Sequence, residues 1–142
     1  MSDNVPREVL QALVRGDMER FQVLAARLDA EQDEQTRGLL HAALVVQASR
    51  KWGEVADLAA LRVWVAQLRN EAESRLGDIN PVSCERILVS VLSGDPGGLG
   101  GVPANDLTNL TALMTFKLVH EAQPTEAQLE EFVAVAERIA AG

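Results

Sequence analysis

Apolar residues recur along this chain mostly at the three- and four-residue spacing of an α-helix, and nowhere with the sustained alternation of a half-buried strand. The clearest stripe is Leu58, Leu61, Val65, Leu68, Ala72 and Leu76, which predicts a helix over about 55–76. Met18, Phe21, Leu24, Ala25 and Leu28 form an earlier face. Leu39, Leu40, Ala43, Leu44 and Val46 line a third helix that ends near Lys51, before Gly53. Cys84, Ile87, Leu88 and Val91 mark a short helix over about 81–92. Leu107, Leu110, Met114 and Leu118 share a face of a helix from about Asn105 to His120, and Leu129, Phe132, Val133, Ala136 and Ile139 share one on the last helix.

The polar residues between these stripes are helix punctuation. Pro6 suits a first turn, where its missing N–H costs nothing, and Gly16 suits a left-handed stop. Asp17 can cap the second helix, and Asn80 followed by Pro81 reads as an N-cap with proline at N1. Thr125 with Gln128 has the spacing of a capping box. The polar stretch from Asp29 to Gln35 reads as a separator ahead of the third helix, and Gly77 as the stop of the fourth. Asp33–Arg37 and Glu71–Arg75 are (i, i+4) pairs in the favourable orientation.

One segment breaks the pattern. Residues 93–103 hold five glycines and two prolines, a composition that predicts a connector without regular structure. Its only apolar side chains are Leu99 and Val102, which could order the loop against a partner.

These elements predict an all-α fold: a compact bundle of about six to seven helices built as helical hairpins, with no sheet. At 142 residues the chain is expected to form a single helical domain over 1–142. No fixed repeat period is present, so a bundle is favoured over a solenoid.

Charge narrows the function classes. The net charge is −8, so a phosphate-neutralising face is not expected, and neither nucleic acid nor an anionic membrane is an expected partner. Residues 78–142 hold 9 acids against 3 bases, whereas 1–77 hold 12 against 10. An acidic nucleic-acid mimic is therefore conceivable but carries no specific motif. The lone Cys84 allows no intrachain disulfide and implies no compartment, while the absence of a basic leader with an apolar run and the lack of a long apolar span suggest a cytoplasmic protein. Eleven arginines against two lysines, with abundant alanine, suggest a high-GC bacterial source.

Reactive chemistry has few candidates. His41 lies off the leucine stripe of the third helix, and His120 closes the sixth, where a cation suits the helix dipole. Cys84 falls on an apolar face and reads as a small hydrophobe. Glu-x-x-His, the di-metal signature of helical bundles, is absent: Gly38 and Lys117 precede the two histidines by three. Asp29, Glu31, Asp33 and Glu34 resemble a calcium loop, but its sixth position is Glu34 and its twelfth Leu40. The glycine-rich segment lacks the lysine and hydroxyl of a phosphate loop. No cofactor or metal is implied, and the chain is expected to be non-catalytic.

Contact surfaces remain. Trp52, after Arg50 and Lys51, sits at a helix exit where a ring need not be buried, and tryptophan and arginine are common anchors. Phe116 and Leu113 point away from the main stripe of the sixth helix, and Trp64 lies at the edge of the fourth. The leading expectation is a protein–protein interaction or adaptor module, binding another protein or a second copy through apolar surface on the third and sixth helices. The alternative is a small apolar-ligand-binding bundle with a pocket lined by Met114, Phe116, Trp64 and Leu113. An enzyme working through carboxylates alone ranks behind both.

Overall fold

The computed structural model describes residues 5–53, 57–76, 79–94 and 96–141. Among them lie seven α-helices and no strand: α1 (Val5–Val14), α2 (Met18–Ala26), α3 (Ala30–Trp52), α4 (Leu58–Leu76), α5 (Pro81–Ser93), α6 (Ala104–Ala122) and α7 (Glu126–Ala141). The all-α bundle expected from the sequence is the fold observed.

Local chemistry sets most boundaries. Asp17 accepts the Arg20 N–H at 3.2 Å and opens α2. The Asn80 side chain accepts from the N–H groups of Val82 and Ser83 ahead of Pro81. Thr125 and Gln128 bond each other reciprocally at 2.8 and 3.2 Å, the capping box that starts α7. Asp33 and Arg37 pair at 2.8 Å.

The stretch from Asp29 to Gln35 departs from expectation. It is the first two turns of α3, not a separator. Asp29 and Gln32 form a capping box at 2.8 and 3.2 Å, and Glu31 and Asp33 occupy the first turn, where carboxylates oppose the positive end of the helix dipole. A polar run at a helix start supports the helix. The stop at Gly77 and the side chain of Arg75 lie outside what is described.

Two apolar clusters share α3 and α6. Leu44 and Ala48 of α3 and Leu110, Met114 and Leu118 of α6 join Leu61, Trp64, Val65 and Leu68 of α4 and Cys84, Ile87, Leu88 and Val91 of α5. On the other side, Leu39, Leu40, Ala43 and Val46 of α3 and Ala112 and Val119 of α6 meet α1 and the Phe132, Val133 and Ala136 face of α7. Helices α3 and α6 therefore form a central pair covered on both sides. The free apolar surface expected on them is consumed internally, which is why their apolar positions spread beyond a single stripe.

Among the described residues, the large apolar side chains that stay exposed are Met18, Val23, Leu58, Val63, Val82, Val89 and Ile139, none of them on α3 or α6. Three were expected inside. Leu58 and Ile139 lie in terminal turns of α4 and α7. Met18 opens α2, a helix with no buried residue that leans on α1.

The glycine-rich connector is also corrected. Pro96–Gly101 forms a 3₁₀ helix against α5. Val102 is buried in the first cluster and Leu99 packs on it. The two apolar side chains leave water by folding onto the chain's own core, so they are not held out for a partner. The Arg86 guanidinium lies over Gly101, with Nη1 2.0 Å from where a Cβ would stand, so a larger residue there would displace that flexible side chain.

Candidate functional site

At the end of the bundle where α3 and α6 finish and α7 begins, a cleft of about 480 Å³ opens, within the range of small-molecule and side-chain pockets. The last turns of α3 contribute Gln47, Arg50 and Lys51, which the i, i+3, i+4 spacing puts on one face. Helix α6 adds Leu118, Val119, Glu121 and Ala122, and α7 adds Gln128, Leu129, Glu131 and Phe132 across Pro124. The turn between them is made by Gln123, held left-handed at φ 46° with its N–H bonded to the His120 carbonyl at 3.2 Å. That conformation costs a non-glycine residue roughly 1–2 kcal/mol, which the capping box beyond it helps to offset.

The floor is apolar. Leu118, Val119 and Phe132 are buried and Leu129 is half-buried. The rim carries two cations, Arg50 and Lys51, and two carboxylates, Glu121 and Glu131. Lys51 is engaged, with its ammonium 3.5 Å from Glu121. Among the described residues, Arg50 and Glu131 have no ion-pair or hydrogen-bond partner.

Gln47 is the unusual member. It is 7% exposed, yet its amide makes no hydrogen bond among the described residues. No fully sealed side-chain polar atom there lacks a partner, so the amide of Gln47 reaches the cleft. The side chain is thus packed while its amide stays open to the cleft, where water or a ligand can meet its donor and acceptor.

Beside the cleft, Glu121 organises a part-buried polar network. Both its oxygens accept from Nε1 of Trp64, at 2.9 and 3.1 Å. Lys117, on the same helix, lies 3.5 Å from Glu121 and 2.8 Å from Glu71 of α4, with its ammonium 5.6 Å from the Trp64 ring centre. Trp52 stands edge-on to Trp64, ring centres 5.3 Å apart at 88°. The rim is thereby fixed to the core.

The structure divides the residues expected at a contact surface. Arg50 and Lys51 line the cleft, and half-buried Trp52 flanks it through Trp64. Leu113 packs on the first cluster and Phe116 on the second, so they do not share a patch. The rings of Phe116 and His120 meet at a tilt, centres 4.2 Å apart and planes at 48°. Met114 and Trp64 are core residues, so the pocket drawn through Met114, Phe116, Trp64 and Leu113 does not form. Gln47, Glu131, Leu129 and Phe132 were missed as site residues. The one available signal was Gln47, a polar residue in the buried phase of α3.

Cys84 is buried in the first cluster, and burial pushes its thiol from 9.0 up to about 11, which favours the unreactive protonated form. His41 is exposed on the polar side of α3. Among the described residues there is no group of three metal-ligating side chains, and no helix is long and apolar enough to cross a membrane.

Comparison with family models, with curated proteins and with solved structures finds no match to this chain.

Proposed function

We propose that the chain is a protein-binding adaptor module whose recognition surface is the cleft between the ends of α3 and α6 and the start of α7. The observation that carries this reading is the composition of that cleft: an apolar floor, a charged rim and the unpartnered Gln47 amide in one concavity. Apolar depth with a few convergent polar groups is the usual make-up of a recognition site. Two of the residues read as contacts from the sequence, Arg50 and Lys51, stand on its rim. The arginine-rich, lysine-poor usage supports a bacterial source.

Ala122 is exposed on the cleft wall, so Ala122→Trp fills the cleft without disturbing the core. Selection of a displayed random-peptide library on the immobilised chain is expected to enrich peptides that bind the parent and not A122W. Enrichment of no peptide, or of peptides indifferent to A122W, overturns the reading.

A further inference from the structure

We infer that the cleft takes the free C-terminus of a partner polypeptide, with an apolar last residue and a basic residue just upstream. This rests on the protein-binding reading above and names its ligand. Gln47 supplies the first argument. A primary amide donates and accepts side by side, the same pattern a peptide group presents, so the amide of a packed side chain, open to a cleft, is suited to a backbone peptide bond.

Arg50 supplies the second. It follows Gln47 by three residues on α3, which puts their Cβ atoms roughly 5–6 Å apart on one face. A terminal carboxylate lies about one residue, roughly 3.8 Å, beyond the last peptide bond. A long guanidinium side chain bridges the difference. Arg50 has no partner among the described residues, unlike Lys51, which Glu121 holds. Guanidinium and carboxylate match as a bidentate pair.

The floor supplies the third. Half-buried Leu129, backed by the buried Leu118, Val119 and Phe132, forms an apolar seat in a cleft of about 480 Å³, room for one large aliphatic side chain and the backbone that carries it. Glu131, unpartnered on the α7 wall, then faces the chain as it leaves the cleft. A net charge of −8 repels acidic peptides, so the carboxylate is recognised locally by Arg50 while a basic residue meets Glu131.

The probe is a dye-labelled pentapeptide ending Lys-Ala-Leu with a free carboxylate, titrated by fluorescence anisotropy. Its C-terminally amidated form is expected to bind at least tenfold more weakly. Arg50→Ala, at an exposed position, is expected to cost the acid form about tenfold and the amidated form nothing. Glu131→Gln is expected to weaken the Lys-containing peptide and leave one ending Ala-Ala-Leu unchanged. Equal binding of acid and amide forms, or an unchanged affinity in R50A, overturns the inference. Competition by N-acetyl-leucine as strong as by the pentapeptide also overturns it, in favour of a small acylated amino acid. Cleft-sensitive library peptides indifferent to their terminal carboxylate defeat this inference alone; absence of any cleft-sensitive peptide defeats the broader reading.

Discussion

Trp64 and Glu121 are joined across α4 and α6 by a bifurcated hydrogen bond, the indole N–H reaching both carboxylate oxygens at 2.9 and 3.1 Å. The ring is 3% exposed, while the carboxylate stands at the cleft rim. One bond therefore ties the interior of the first cluster to the candidate site. Glu121→Ala leaves the buried N–H unpaired and deprives Lys51 and Lys117 of a shared anion. It is expected to lower stability by about 1–3 kcal/mol in urea unfolding. Trp64→Phe removes the donor and shrinks the ring that Trp52 abuts, and should cost a similar amount, with Trp52 left to report unfolding by fluorescence.

The thiol of Cys84 gives a pH-dependent prediction. Its folded-state pKa is raised from 9.0 to about 11 by burial. Below pH 9 the thiol is protonated in both states and its contribution is fully present. As pH rises from 9 towards 11 the unfolded chain loses the proton first, so stability falls through that window. Native protein at pH 8 is expected to react with a disulfide reagent only at its unfolding rate, which stopped-flow absorbance would measure. Prompt stoichiometric reaction would show the thiol to be accessible.

Val102 tests the connector. If Pro96–Gly101 is anchored through its neighbour, Val102→Ala removes about two buried methyl groups and should cost about 1.5 kcal/mol at roughly 0.8 kcal/mol per group. A solvated connector would show no change in the denaturant midpoint.

Gly16 tests the α1–α2 turn. Its φ is +76°, and a Cβ there would stand 3.4 Å from Nε2 of His120. Gly16→Ala is expected to destabilise by about 1–2 kcal/mol from backbone conformation, seen as a lowered midpoint in thermal unfolding. A rise in the midpoint would mean that reduced unfolded-state entropy dominates.

The candidate site was only partly legible. Arg50 and Lys51 could be read because a helix exit leaves long cationic side chains near solvent whatever lies around them. Leu129 and Phe132 could not, because on α7 they continue the buried stripe of Val133 and Ala136. Nothing in that periodicity says that one end of the stripe borders a cleft. Leu113 and Phe116 misled for the complementary reason: apolar residues off the main face look exposed until a second layer is found to cover them.

Helix identity and helix ends were determined by the chain alone, since 3.6-residue periodicity and side-chain caps such as Asn80 and Thr125 act within a turn or two. Tertiary packing decided what local forces leave open. It placed α3 and α6 between two cores, folded Leu99 and Val102 inward, and brought Gln47, Arg50 and Glu131 around one cavity. Those outcomes depend on which faces meet, and residues more than 80 positions apart become neighbours only when the apolar surfaces between them are withdrawn from water.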